Sequence, residues 1–384
     1  MRVLHTSDWH LGRSFHREGM LDAQSAFVDH IVDIVSSEKV DLVVVSGDIF
    51  DRALPPVDAV ELASDALRRL LSAHVRVVVT SGNHDSAPRL GFASELIDAA
   101  GVHVRTDPRT VGTPVVIPDQ HGDVAVYGLP YLEPDLVRDG WGLAGRSHQA
   151  ALDEAMSRVR DDLGRRDPSA RSIVMAHAFV TGAAASDSER DISVGGVSQV
   201  GITTFDGVDY VALGHLHGRH TLSESVRYSG SPLAYSFSEA AHRKGSWLVE
   251  LDATGLSRAD FVDAPIPRLL AVLEGPLDGL LTNPRHAHHE GSWVQATLTD
   301  AVRPLHALER LRQRYPHVLV VRYAPDVHPG AEPIARVAAR SAVDDIDVVR
   351  QFFVDTRESG PTADELALLR DACDACRVEA DAAS

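Results

Sequence analysis

The first hundred residues alternate between two kinds of apolar spacing. Arg2 to His5, Asp41 to Ser46 and Val75 to Thr80 are short, mostly unbroken apolar runs, and the second ends at Gly47. Unbroken runs of this length predict strands buried on both faces. Between them the period changes. Phe27, Val28, Ile31, Ile34 and Val35 share one face of a helix over Ser25 to Val35. Val60, Ala63, Leu67, Leu70 and Leu71 do the same over Val57 to Leu71. A third helix is predicted over Leu90 to Ala100, closed by Gly101. Further strands are predicted at Val124 to Gly128, Ser172 to Ala176, Tyr210 to Leu213 and Ser246 to Leu251. Such alternation predicts a layered α/β architecture.

Pro265 and Pro267 punctuate this pattern. Beyond them, strand spacing at Leu269 to Leu273, Trp293 to Leu298 and Val318 to Tyr323, with a helix near Leu305 to Arg314, predicts a small α+β unit. Two amphipathic helices follow. One runs from about Asp345 to Thr356 and gathers Ile346, Val349, Phe352 and Phe353; the other opens at the capping-box pattern Thr362-Ala-Asp-Glu365. A chain of 384 residues is longer than one core usually serves. The expected division is a core over 1–265, a capping domain over 266–342 and a helical tail over 343–384.

Composition narrows the class without deciding it. The chain is 44% apolar with a net charge of −18. Its apolar runs, such as Leu42 to Val45 and Val77 to Val79, are far too short to span a bilayer, so no membrane association is expected. The N-terminal segment lacks the basic flank and long apolar stretch of a secretory signal, which makes the cytoplasm the expected compartment. Cys373 and Cys376 are the only cysteines, so no disulfide framework is in play. The acidic balance argues weakly against a nucleic-acid substrate, because carboxylates that bind cations count as negative in that sum. Lys39 and Lys244 are the only lysines, so nearly all positive charge is arginine.

Five segments share one design, an apolar strand running straight into a loop of Asp, Asn and His. They are Thr6-Ser-Asp8-Trp-His10, Ser46-Gly-Asp48-Ile-Phe-Asp51, Ser81-Gly-Asn83-His84-Asp85, Met175-Ala-His177 and Gly214-His215-Leu-His217. Any one of them alone is an ordinary polar turn. Loops after parallel strands fall on the same edge of a sheet, so five in succession predict convergence on one point. The mixed N/O donor set suits octahedral Mn²⁺, Fe²⁺ or Zn²⁺, not a closed thiolate site. Gly47, Gly82 and Gly214 are expected to relieve crowding where the strands turn.

These residues resemble the calcineurin-like metallophosphoesterase pattern and, more narrowly, the SbcD nuclease family. The narrower resemblance rests on Ser188-Glu-Arg190, Val194-Gly-Gly196, Ser229-Gly-Ser-Pro232 and Ser236-Phe-Ser-Glu239, outside the metal loops. It implies an α/β-sandwich core with a small α+β cap and a helical tail. It also implies that Asp8, His10 and His217 hold one divalent cation, that Asn83, His177 and His215 hold a second, and that Asp48 bridges the pair. His84 resembles the family's catalytic histidine, which binds no metal. The implied activity is a DNA exonuclease and endonuclease using two divalent ions, Mn²⁺ first, on DNA ends and hairpins in repair, recombination and replication. The implied partners are DNA, an SbcC-type ATPase met through the tail in a heterotetramer, and a second copy met through the helices over Val57 to Leu71 and Leu90 to Ala100. The competing reading is a phosphodiesterase or phosphatase of the same core acting on a nucleotide or phosphoprotein; an inactive scaffold does not explain a complete ligand set beside His84.

Other signals are weaker. Asp51 stands where archaeal and eukaryotic relatives often carry histidine, which leaves its role open, and Asp85 reads equally as a turn carboxylate or as a residue that orients its neighbours. Cys373 and Cys376 are a single pair at helical spacing, too few for a structural zinc site. His286, His288 and His289 read as a solvated loop. Arg13, Arg17, Arg52 and Arg89 lie near the metal loops in sequence, as surface arginines often do.

Overall fold

The structure is a computed structural model and describes residues 1–190, 192, 199–325, 345–357 and 360–382. The chain begins with β1 (Arg2–Thr6), α1 (Leu21–Ser37), β2 (Leu42–Ser46), α2 (Val57–Ser72), β3 (Arg76–Thr80) and β4 (Val102–Arg105). It continues through β5 (Val115–Asp119), β6 (Gly122–Gly128), α3 (His148–Leu163), β7 (Arg171–His177) and β8 (Tyr210–Gly214). The short strands β9 (His220–Thr221) and β10 (Val226–Tyr228) lead to a long hairpin, β11 (Gly245–Asp252) and β12 (Gly255–Asp263).

These strands make two six-stranded sheets, ordered β12-β11-β1-β2-β3-β4 and β9-β10-β8-β7-β6-β5. Strands β1 to β4 are parallel to one another, as are β6, β7, β8 and β10; the antiparallel strands lie toward the edges. The sheets pack face to face through Val3, Leu42, Val44, Val78, Val126, Ile173, Met175 and Ala212. Helices α1 and α2 cover the outer face of the first sheet and α3 that of the second. Each central strand is therefore covered on both faces. That is why Leu42 to Val45 are all apolar and all fully buried.

The helix expected over Leu90 to Ala100 is instead two short turns, Ala87–Leu90 and Ser94–Asp98. Ala93 between them adopts a left-handed φ of 59°, which an α-helix cannot carry through. Phe92 and Leu96 are left exposed, and the periodicity came from Leu90 and Ile97, which do reach the core. The stretch around His286 is a short 3₁₀ turn, Pro284–His289, on the surface.

The next segment folds as β13 (Leu270–Gly275), α4 (Leu277–Thr282), β14 (Trp293–Leu298), α5 (Ala307–Arg314) and β15 (Val318–Tyr323). Its three strands are parallel, with a core of Leu273, Leu277, Val294, Leu311 and Tyr315. A seam of Phe15, Met20, Leu233, Tyr235 and Phe237 joins it to the sandwich, and Phe15 lies 5.2 Å from Trp293 between ring centroids. The compact unit that contains both sheets extends through these strands to Tyr323. The helices α6 (Asp345–Arg357) and α7 (Ala363–Ala382) fall in a second unit. At the start of α7, Thr362 and Glu365 bond each other's backbone N–H groups, closing the capping box. Among the described residues no helix is long and apolar enough to cross a membrane.

His5 shows how the two sheets are pinned. Its Nδ1 accepts from the Tyr210 hydroxyl at 2.8 Å, and its Nε2 donates to the Leu213 carbonyl at 3.1 Å. Full burial holds its pKa down at about 3, so it stays neutral in the fold. The unfolded chain takes up that proton near pH 6.5, so stability is present above that pH and falls as pH drops below it. Between pH 7 and pH 5 the native protein should lose about 2 kcal/mol more than a His5→Gln variant, read by urea unfolding at each pH.

Candidate metal centre

Every polar loop predicted from the sequence leaves the C-terminal end of a parallel strand. Strand β1 runs into Asp8 and His10, β2 into Asp48, and β3 into Asn83 and His84. From the second sheet, β7 ends on His177 and β8 runs into His215 and His217. The loops therefore come from both layers, and the cluster straddles the two sheet edges. Asp8, His10 and Asp48 adopt left-handed φ values of 53°, 45° and 51°, and His215 one of 103°. Non-glycine residues there cost of order 1–3 kcal/mol each, a strain that gathers at functional sites. Gly47 turns with φ of 85°, and a Cβ there would collide with the His177 ring.

The eight predicted side chains meet in one place. Acceptor and donor atoms of Asp8, His10 and His217 lie within 4.8 Å of one another, as do those of His10, Asp48 and His84, and those of Asp8, Asp48 and His177. His10 Nε2 and His217 Nε2 face each other at 3.0 Å. Asp48 Oδ2 stands 3.6 Å from His10 Nε2 and 3.4 Å from His177 Nε2. Asn83 Oδ1 lies 2.9 Å from His177 Nε2 and 3.2 Å from His215 Nδ1. Asp48 thus stands between two groups of donors.

Burial sets the electrostatics. It pushes Asp8 up to about 6 and His10 and His215 well below the usual imidazole range. Burial opposes ionisation of Asp48 too, yet His177, His10 and His84 hold it well below the carboxylate range. His177, buried but flanked by Asp48 and Asp8, is raised to about 9. The Nδ1 of His10 and the Nδ2 of Asn83 are buried without a hydrogen-bond partner among the described residues. Crowded imidazole nitrogens, two buried carboxylates, and an amide oxygen aimed at the same point form a donor set that fits divalent cations, which displace the protons such nitrogens carry.

Around the cluster lies a layer that composition and spacing did not reveal. Gln24 on α1 donates to the His10 carbonyl and accepts from Gly12 N–H, and the Tyr235 hydroxyl donates to the Trp9 carbonyl at 2.6 Å. Glu189 accepts from His217 N–H at 2.7 Å, and Arg190 donates to the Asn83 carbonyl at 3.1 Å. Glu239 and Lys244 form a fully buried ion pair beside His217. Glu189, Arg190 and Glu239 lie in Ser188-Glu-Arg190 and Ser236-Phe-Ser-Glu239, sequence signals that carried no role until the fold placed them.

The two open aspartates have distinct contacts. Asp51 acts through its backbone: its carbonyl accepts from His84 Nδ1 at 2.7 Å, while its carboxylate is 3.6 Å from Arg13 Nε. Asp85 accepts from three backbone N–H groups, Ile49 at 3.1 Å, Phe50 at 3.0 Å and Gly82 at 2.9 Å. It is the tie between the Asp48 loop and the Asn83 loop. Of the four arginines noted in sequence, Arg13 donates to the Ser188 carbonyl at 2.9 Å, Arg17 and Arg52 are exposed, and Arg89 lines an apolar hollow behind the Asp48 loop. The only groups of potential metal ligands among the described residues lie in this cluster. Val194-Gly-Gly196 falls outside the described residues, as do the side chains of Cys373 and Cys376.

The family model for calcineurin-like phosphoesterases matches residues 1–219, which carry all eight residues. The chain belongs to that family. The SbcD C-terminal domain model, described as the type 5 capsule protein repressor C-terminal domain, matches residues 267–356, making the chain an SbcD-type metallophosphoesterase. Among solved structures, similarity is found to TT1561 of Thermus thermophilus, at 14% identity over 68% of this chain and 98% of that one, with a TM-score of 0.39. A dimetal phosphatase from Danio rerio is 15% identical over 69% of this chain and 99% of its own, also with a TM-score of 0.39. A novel archaeal phosphodiesterase is 12% identical over 68% and 100%, with a TM-score of 0.31. The family assignment of the SbcD-type chain rests on the two family models.

Removing Asp85 would strand three N–H groups that now share one carboxylate. Asp85→Ala should lower the stability of the metal-free protein by about 2–4 kcal/mol, measured by urea unfolding.

Proposed function

We propose that this protein is a two-metal DNA nuclease, acting as exonuclease and endonuclease on DNA ends and hairpins together with an SbcC-type ATPase. The observation that carries the reading beyond hydrolase is the SbcD C-terminal domain following the phosphoesterase core. Asp8, His10 and His217 would hold one cation and Asn83, His177 and His215 the other, both Mn²⁺, with Asp48 bridging. Support comes from the place of Asp48 Oδ2, within 3.6 Å of an imidazole from each set. Bound cations would supply charge neutralisation at the phosphodiester and a water acidic enough to attack it.

His84 is left out of both ligand sets and has the features of the proton-transfer residue. A carbonyl cannot donate, so His84 Nδ1 must carry the proton in its bond to Asp51, leaving Nε2 to give or take one. Burial first, then Arg190 and Arg13, lower its pKa, while Asp48 and the Asp51 carbonyl act in the opposite sense. A phosphodiester charge beside the ring favours its protonation, so the acid forms where a basic leaving oxygen needs it. The net charge of −18 is compatible with DNA because the deepest carboxylates would face cations, with Arg13 and Arg190 beside them.

The partner surfaces follow the same reading. Exposed Leu54 and Val60 line the apolar hollow of about 950 Å³ between α2 and the two short turns, and Val57, Phe92 and Leu96 are exposed on or between the same elements, a face suited to a second copy. The tail, with Phe352 and Leu368 exposed, is the segment we assign to the ATPase, as an amphipathic helix docked in a groove.

His84→Ala should retain two Mn²⁺ per chain by elemental analysis while turnover of a chromogenic diester falls about 10²–10⁴-fold. Loss of metal along with activity would make His84 a ligand instead. Offered hairpin DNA, cyclic nucleotides and phosphopeptides with Mn²⁺, the protein should cut the hairpin, with stimulation by the ATPase. A clear preference for a small phosphoester would replace the nuclease reading. Deleting residues 345–384 should abolish ATPase binding in pull-down assays yet leave diester hydrolysis intact.

A further inference from the structure

We infer that Glu239, acting through the hydroxyl of Ser188, positions His217 for metal binding, and that buried Lys244 holds this carboxylate in place. The inference rests on the two-metal reading above and names residues that the ligand set does not include.

The argument starts from the proton positions. His217 Nε2 faces the cluster, 3.0 Å from His10 Nε2, so ligation requires that nitrogen to be free of its proton. The other nitrogen, Nδ1, lies 2.6 Å from Ser188 Oγ and 3.4 Å from Glu239 Oε1. Ser188 Oγ in turn makes a short hydrogen bond to Glu239 Oε1. An ionised carboxylate only accepts, so the serine must donate its one proton to Glu239. Its lone pair is then turned to His217, and Nδ1 must be the donor. The relay runs from Nδ1–H to Oγ and from Oγ–H to the carboxylate. It has one direction, and that direction leaves Nε2 unprotonated toward the cation.

Glu239 accepts at a site where its side chain is wholly buried, so it needs a charged partner there. Lys244, one of the two lysines in the chain, supplies the countercharge. Its Nζ bonds Glu239 Oε2, the Ser231 hydroxyl at 2.9 Å and the His217 carbonyl at 2.8 Å. Glu189 takes the His217 N–H at 2.7 Å. His217 is therefore gripped at its amide, its carbonyl and one ring nitrogen, with the other nitrogen offered to the cluster. Ser188 also links the two halves of the site: Arg13 holds its carbonyl, and Arg190, two residues on, holds the carbonyl of Asn83. A plain structural fastener would need the Glu239–Lys244 pair but not an intervening serine bonded to a ligand.

The test is titration of the full-length, chelator-stripped protein with Mn²⁺, followed by calorimetry and by the electron paramagnetic resonance of the bound ion. Wild type should fill two sites. Ser188→Ala and Glu239→Gln should each weaken one site 10–100-fold and leave the other unchanged, as loss of a ligand's hydrogen-bond partner does. Glu239→Gln leaves Lys244 buried without its partner and risks misfolding. The double variant Glu239→Leu with Lys244→Met therefore replaces the ion pair by apolar volume, which keeps the fold while removing the relay's acceptor. It should melt near the wild-type temperature and still bind one Mn²⁺ weakly. Two sites of wild-type affinity in the double variant, or equal weakening of both sites in every variant, would overturn the positioning role. A wild type that fills fewer than two sites would instead defeat the two-metal reading itself.

Discussion

Gly214 ends β8 where the second sheet meets the first, and a Cβ on it would overlap the carbonyl oxygen of Ser46 at the end of β2. That carbonyl instead accepts from His177 Nδ1 at 2.9 Å, and Ser46 Oγ donates to the Ala212 carbonyl at 2.8 Å. The two sheets thus touch backbone to backbone at one edge, far closer than the usual spacing of about 10 Å between packed sheets. The approach is what lets loops from different layers share a ligand atom. Were the edge to open by the width of a methyl group, His177 and His215 would draw away from Asp48 and Asn83. The apolar interior holds the layers together along their length; the glycine sets how they end.

Convergence on this scale carries an electrostatic cost. Two aspartates and four imidazoles lie almost without solvent contact, and four residues of the loops hold left-handed backbone angles. A proton favoured on His177, set against ionised Asp48, relieves part of that cost in the metal-free protein. A divalent cation would do so more completely, because its charge matches both carboxylates at once. With cations bound there, folding stability and metal occupancy would become one linked equilibrium.

Much of this was legible in the sequence. The runs at Leu42 to Val45 and Val77 to Val79 read as doubly covered strands because both faces select apolar residues. The five polar loops stood out because each interrupts such a run abruptly. What escaped had physical reasons to escape. Leu90 and Ile97 keep helical spacing although a left-handed Ala93 breaks the helix between them. The role of Asp51 toward His84 is carried by its carbonyl, which every residue has, so no side-chain pattern encodes it. Gln24, Glu189 and Glu239 lie outside the loops they support, and only the packing of α1 and of the segments that carry Glu189 and Glu239 brings them in.

The segment from Leu233 to Glu239 shows why the small parallel sheet cannot be regarded as a detachable cover. Leu233, Tyr235 and Phe237 pack in the seam with Phe15 and Met20, against Leu270, Trp293, Leu319 and Val320 of β13 to β15. The same segment presents the Tyr235 hydroxyl to the Trp9 carbonyl and Gln24, and Glu239 to Ser188 and His217. One side of it is apolar cement between the two parts of the unit; the other holds the backbone and a ring nitrogen of residues in the cluster. A residue in a close-packed seam cannot shift without moving its neighbours. Loss of the small sheet would free the Tyr235–Phe237 segment and loosen the grip on His10 and His217 together. The geometry of the cluster is thus set by packing that begins some distance away, in a part of the chain that adds no residue to it.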